Sequence, residues 1–366
     1  MWNSSSDYFF IGYQKDSQKQ VASAACIGYN SCMIWDIYGH DAASALLKEH
    51  TQEDKLRHAY LLTGPQGVGR RSLALAFIKA LNCPNPPGAG MFCGVCPTCR
   101  QIDLQAFPDL TVITAEEGHK DIRIDQIRSL QHSLVLSPYQ ARYRVALILD
   151  FQKVTVGASN ALLKTLEEPP PKAVLILTAD AQESLLPTIA SRCEVLRLRP
   201  MRVSEAEQIL IQHKGLNAVD ARLLAHVSSG RLGTALRLYN DPNALTFRTR
   251  RFDDLPDLLA GSRRERFAYV DGLIKHNRSG RDEISDVIGL WLGFWRDVLI
   301  STSSADMPLV NIDREKLIQK TAEKVDFQSA HHVVVSLEQG LRDLDVYVNT
   351  RLLAENLLLE WPRVFI

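Results

Sequence analysis

Cys83, Cys93, Cys96 and Cys99 follow the spacing C-x9-C-x2-C-x2-C, interleaved with proline and glycine. Four thiolates complete the tetrahedral shell of Zn²⁺, and two-residue gaps let neighbouring sulfurs turn onto one ion. A closed shell leaves no position for water or substrate, so the metal expected here is structural. Iron–sulfur ligation is the competing metal reading, and buried, unliganded thiols are the metal-free one. The chain holds 7 cysteines, and this odd, clustered set points to a reducing compartment, the cytoplasm, rather than to a disulfide framework. Cys193 stands alone and reads as a small core residue.

A second constellation runs Gly64-Pro65-Gln66-Gly67-Val68-Gly69-Arg70-Arg71-Ser72. Glycines at these positions let backbone N–H groups turn inward and cradle phosphate at a helix N-terminus. The chemistry of the loop departs from that pattern. Arg70 stands where a compact lysine ammonium would reach the phosphates, and the larger, forked guanidinium is not equivalent. Arg71 stands where a hydroxyl would hold Mg²⁺, and Ser72, one position on, offers the nearest hydroxyl. Downstream, the apolar run 145–149 ends in Asp150, placed to hold Mg²⁺ through water, but Phe151 follows where a glutamate would orient the attacking water. Gly64, Gly67, Gly69, Arg70, Ser72 and Asp150 are therefore a degenerate nucleotide-binding set. ATP and Mg²⁺ are expected to bind weakly or not at all, and intrinsic hydrolysis is expected to be lost. The plainer alternative is that loop and strand serve only as scaffold.

These residues need a scaffold that alternates strands and helices. The run 59–63 ends in Gly64 and leads into a helix pattern with Leu73, Phe77 and Leu81 on one face. The same alternation recurs through strand 110–114, a helix with Ile127, Leu130 and Leu134, strand 145–150, a helix with Leu162, Leu163 and Leu166, and strand 174–178. Strands apolar along their whole length are those covered by helices on both faces, so a three-layer α/β domain with a parallel sheet is expected. Beyond Pro200 the strand pattern stops. Segments 204–212, 218–226 and 233–239 have helical spacing, punctuated by Gly230 and Gly233, and long amphipathic stretches at 284–300 and 330–359 follow. With 42 basic and 42 acidic residues the formal charge is zero, which argues against a generic polyanion binder. Apolar runs fall far short of the ~20 residues of a membrane helix, so no membrane association is expected.

Residues 1–32 carry no periodicity and are rich in Ser, Gln and Asn. The patch Tyr8 to Tyr13 lacks the length and basic lead of a signal segment. Met33 is read as the natural start, and 1–32 as a disordered or non-native extension.

Ala158-Ser159-Asn160-Ala161-Leu162-Leu163-Lys164-Thr165-Leu166-Glu167-Glu168-Pro169-Pro170, followed by Ser191-Arg192-Cys193, resembles the bacterial clamp-loader ATPases of the AAA+ class. With the glycine loop and the cysteine insertion, the resemblance covers residues 33 to about 240. It implies an AAA+ P-loop domain over 33–200 with a zinc insertion at 83–99, a small helical lid over 201–243, and a helical collar over 244–366. It also implies that Arg192 acts in trans, reaching the γ-phosphate of ATP on a neighbouring motor subunit. Trans arginines are worth ~10³ to 10⁵ in rate in GTPases. The bland alternative for Arg192 is a surface salt bridge. Thr178 matches the first sensor position, and Gly233 stands where the motor subunit has its second sensor, an arginine. Residues 347–359 fit the last collar helix. The implied partners are the gamma/tau motor and delta subunits in a hetero-pentamer, and through it the sliding clamp and primed DNA of the DNA polymerase III holoenzyme. Two other functions stay open: an ATP-hydrolysing, gamma/tau-like subunit with a variant loop, and a zinc-based nucleic-acid reader.

Overall fold

A computed structural model describes residues 35–52, 54–116, 119–275, 280–303, 305–344 and 349–365, with the side chains of 275 and 280–282 excluded. The expectations for residues 1–32, and those for Tyr347 and Val348, lie outside the described residues.

The first elements are α1 (Asp41–Glu49), β1 (Ala59–Thr63), α2 (Arg70–Asn82), α3 (Pro97–Asp103), β2 (Leu110–Ile113), α4 (Ile124–Val135), β3 (Arg144–Ile148), α5 (Val156–Glu167), β4 (Ala173–Ala179), α6 (Pro187–Ala190) and β5 (Glu194–Arg197). The strands form one sheet in the order β2-β3-β4-β1-β5. Every pairing is parallel, in a register that sets Val145 beside Val174 and Leu61 beside Leu177. β1 and β4 are buried along their whole length, as sandwiched parallel strands must be. One face packs under α1, α2 and α3 with Tyr60, Leu73, Phe77, Val145 and Ile176 in its core. The other packs under α4 and α5 with Leu61, Leu130, Ile148 and Leu162. The expected three layers are therefore present.

The sheet differs from the sequence reading at its ends. β2 stops at Ile113 and β3 at Ile148, short of the expected Thr114 and Asp150. Asp150 turns into the left-handed region (φ 51°), which ends the strand and redirects its carboxylate. β5 was not expected, because its Glu-Val-Leu-Arg sequence has no apolar run; it is an edge strand held by its pairing to β1.

α7 (Val203–Lys214), α8 (Ala218–Val227) and α9 (Leu232–Asn240) bury Ala206, Leu210, Leu224 and Ala235 in a core of their own. Gly215 ends α7 in the left-handed conformation (φ 71°), and the Asn217 side chain caps the next helix by accepting from the Asp220 amide. The chain continues through α10 (Pro242–Asp253), α11 (Leu255–Ala260), α12 (Arg263–Lys275), α13 (Gly280–Thr302), α14 (Glu315–Ala322), α15 (Phe327–Leu344) and α16 (Thr350–Leu359). The expected amphipathic stretch 330–359 is split between α15 and α16, the latter opened by an Asn349 cap.

The core of these last helices centres on Trp291, Trp295 and Trp361, packed edge to face at 5.2 and 5.4 Å. Among the described residues, buried Arg266 has no carboxylate partner. It donates instead to the carbonyls of Leu258, Leu259, Leu358, Trp361 and Pro362, which gather where α11 and α16 end. A cation there answers the negative pole of each helix C-terminus. His226 on α8 joins the small helical core to the later helices through the Leu309 carbonyl, at 2.7 Å.

No described helix is long and apolar enough to cross a membrane.

Candidate functional site

The four predicted cysteines converge. Their Sγ atoms all lie within 4.8 Å of one another, with Cys83 to Cys93 at 3.6 Å and Cys93 to Cys99 at 4.0 Å. A Zn–S bond of about 2.3 Å implies tetrahedral edges of about 3.8 Å, so these separations fit a single ion. Each of the first three sulfurs also accepts a backbone N–H, Cys83 from Cys93 at 3.4 Å, Cys93 from Cys96 at 3.3 Å and Cys96 from Cys99 at 3.4 Å. Amide donors of this kind favour thiolate over thiol. Cys93 has its pKa lowered to about 6, chiefly by the amide of Val95 and then that of Cys96, whereas burial pushes Cys83 and Cys99 up. The donor set and its spacing therefore suit a metal.

Local sequence builds this knuckle. Cys83 closes α2, Cys96 caps α3 ahead of Pro97, and Gly94 takes φ 70° between them so that the chain can double back. The knuckle is part of the main core rather than an appendage, since Cys83, Phe92, Cys96 and Cys99 pack in the same cluster as Tyr60 and Phe77. Trp35 donates its indole N–H to the Gly90 carbonyl at 3.0 Å and packs on Phe92. Lys79 lies 4.4 Å over the Phe92 ring and pairs with Asp103, which ties α2 to α3.

The glycine loop has the shape its sequence promised. Gly64, Gly67 and Gly69 all have positive φ, between 82° and 149°. Its chemistry is turned inward. Arg70 is 7% exposed, and its guanidinium lies 3.3 Å from Asp150 and 2.8 Å from Asp180. The Asp180 pair is at ion-pair distance but off hydrogen-bond alignment. Lys153 adds a second cation to Asp150 at 3.4 Å, and the Asp150 amide donates to Thr178 Oγ1 at 3.0 Å. The acid placed to hold Mg²⁺ is thus occupied by two of the chain's own cations. Arg71 and Ser72 are exposed on α2, and among the described residues Ser72 joins none of this network. Phe151 is buried in the core below.

The loop is also covered from above. Gly233, at the start of α9, donates its N–H to the Gly67 carbonyl at 2.9 Å. A Cβ at Gly67 would fall 1.9 Å from Thr234 Oγ1, and one at Gly233 would fall 2.7 Å from the Gly67 carbonyl oxygen. From the other side, buried His40 Nε2 donates to the Val68 carbonyl at 2.8 Å. Sequence reasoning missed His40, Asp180 and Thr234. An acid one residue beyond an apolar strand was the available signal for Asp180, because ends of adjacent parallel strands meet; His40 and Thr234 carry no such signal.

Arg192 lies in the turn after α6. Its Nη1 donates to the Thr188 carbonyl at 2.9 Å and its Nη2 to Glu167 Oε1 at 2.7 Å. The two segments that carry the family resemblance are thereby joined. Among the described residues, no hydrogen bond or ion pair links Arg192 to the glycine loop of its own chain. Cys193 beside it is half-buried against the core under α4 and α5 rather than within it, and burial raises its pKa to about 12.

A parallel sheet in this strand order, with a glycine turn after its first strand and the start of α9 packed on that turn, is the fold of the AAA+ class of P-loop proteins. Residues 39–202 match the family model described as DNA polymerase III, delta subunit, and residues 245–363 match the one described as DNA polymerase III, delta subunit, C terminal. A DNA polymerase III subunit delta' from Pseudomonas aeruginosa is 43% identical over 136 residues, 37% of this chain and 41% of that protein. DNA polymerase III subunit tau from Bacillus subtilis is 30% identical over 56% of this chain and 36% of its own length; tau from Escherichia coli is 34% identical over 56% and 32%. The chain thus spans less than half the length of these relatives. A crystal structure of a gamma subunit-related protein of DNA polymerase III from Thermotoga maritima superposes with TM-score 0.47 and 19% identity over 86% of this chain and 97% of that one. The chain belongs to the DNA polymerase III clamp-loader family.

Proposed function

We propose that this chain is a non-hydrolysing, delta-prime-type subunit of the DNA polymerase III clamp loader. It binds the gamma/tau motor and delta subunits in a hetero-pentamer, supplies Arg192 in trans to ATP on the neighbouring motor subunit, and so takes part in loading the sliding clamp at primed DNA in the cytoplasm. The observation that carries this reading is the Arg70 fork, which ties up Asp150 and Asp180 where a working site would hold a magnesium ion. A permanently charged, planar guanidinium on the surface, as Arg192 is, suits capture of phosphate oxygens. In this reading residues 33–200, 201–243 and 244–366 are the P-loop, lid and collar domains, the last joining the ring.

The four cysteines hold a structural Zn²⁺. A cluster with its own sulfides takes more room between thiolates than these separations give, so zinc is favoured over iron–sulfur. The ion would pin the ends of α2 and α3 and supply no reaction step.

Two measurements test the reading together. Titration of the isolated chain with ATP and Mg²⁺ is expected to show neither binding nor turnover, and magnesium-dependent turnover would instead establish the gamma/tau-like alternative. In the reconstituted complex, Arg192→Ala should lower ATP turnover while the subunits still co-elute; unchanged turnover would refute the trans role.

A further inference from the structure

An arginine that acts across an interface is useful only when its long side chain is already aimed, because otherwise its rotamer freedom is lost in the transition state. Arg192 is 35% exposed, yet two elements hold it. Glu167, the last residue of α5, accepts from Nη2 at 2.7 Å, and Thr188 on α6 accepts from Nη1 at 2.9 Å. A guanidinium carries five N–H donors in a fixed plane. Nη1 also reaches the Ser191 hydroxyl at 3.5 Å, so these bonds set the plane and leave Nε–H and the second Nη2 hydrogen for a ligand. Glu167 itself is 51% exposed, so it does not bury the charge it pairs with.

We propose that Glu167 is a positioning residue for Arg192: its carboxylate fixes the plane of the guanidinium so that the remaining donors face the neighbouring subunit's nucleotide. The inference rests on the trans role of Arg192 proposed above. What distinguishes it from an ordinary surface ion pair is the arrangement. Such pairs are usually near neutral for stability, so an effect of Glu167 on turnover without an effect on melting would have its source in orientation.

The experiment uses the reconstituted clamp-loader complex with DNA and clamp, carrying Glu167→Ala, Glu167→Gln, Arg192→Ala or Glu167→Ala with Arg192→Ala. Glu167→Ala is expected to lower kcat for ATP about five- to thirty-fold, the scale of one long side chain's rotamer freedom, with KM for ATP and the melting temperature of the isolated chain unchanged. Glu167→Gln should recover most of that loss, since its Oε1 still accepts a hydrogen bond. On the Arg192→Ala background, Glu167→Ala should cost nothing further. Wild-type kcat for Glu167→Ala beside a slow Arg192→Ala would overturn the positioning role and leave the trans role standing. Wild-type kcat for Arg192→Ala would remove both.

Discussion

The packing around Gly233 predicts what an arginine at that position would do. Gly233→Arg introduces a Cβ 2.7 Å from the Gly67 carbonyl oxygen and 3.3 Å from its carbon, both backbone atoms of a loop braced by His40. The loop cannot yield cheaply, so the start of α9 must lift and the 2.9 Å hydrogen bond from Gly233 to Gly67 is lost. A lost hydrogen bond costs about 1 kcal/mol and the steric overlap about 1–3 kcal/mol, together about 2–4 kcal/mol of local stability. Local opening of that size speeds amide exchange about 30- to 1,000-fold. Hydrogen exchange read by mass spectrometry should show it in peptides covering 230–240 and 64–70, with β1 and β4 unchanged. Gly233→Ala should move in the same direction, since the Cβ makes the clash; the guanidinium does not. Wild-type exchange rates in both variants would refute this account of the contact between α9 and the glycine loop.

Cys96→Ser should reduce bound zinc below one per chain by elemental analysis and lower the melting temperature of the whole sheet domain, because Cys96 and Cys99 belong to its main core; full zinc content would remove the ligand assignment. Arg266→Met should destabilise the C-terminal helices by about 3–5 kcal/mol, since five carbonyls lose the guanidinium at once and, among the described residues, only those of Leu259 and Leu358 keep a backbone donor, from Val364 and Trp361, and a urea midpoint close to wild type would contradict it. Asp109 is a buried carboxylate. Burial alone would raise its pKa, but the amides of Tyr139 and Gln140, with Arg144 and the Ala141 amide, hold it below the usual carboxylate range. A depressed pKa gives stability that is complete above the unfolded value of about 3.9 and is lost as pH falls through the folded value. The stability gap between wild type and Asp109→Asn should therefore narrow below about pH 4, and a gap constant with pH would refute the linkage.

Much of this fold was legible because its strands are buried on both faces, so β1, β3 and β4 stand out as apolar runs. β5 was not, since Glu194 and Arg197 belong to an edge whose partner is set by topology. The cysteine spacing carried the knuckle, but its embedding did not show, because Trp35 and Lys48 meet Gly90 only after α1 has packed. In the loop, the sequence revealed losses where the structure reveals replacements. Arg70 reads as a lysine gone wrong until Asp180, 110 positions away, is seen at the end of the adjoining strand. Phe151 reads as a missing glutamate and is a core residue. Ser72 offered a nearby hydroxyl, but the first turn of α2 points it to solvent.

Besides Trp2, which lies outside the described residues, the tryptophans of this chain fall into two separate groups of emitters. Trp35 is bonded to the Gly90 carbonyl within the cysteine knuckle, while Trp291, Trp295 and Trp361 meet edge to face in the last helical core. Ultraviolet excitation thus lights both, and a chelator should dim or shift the first while the second holds its colour until those helices come apart.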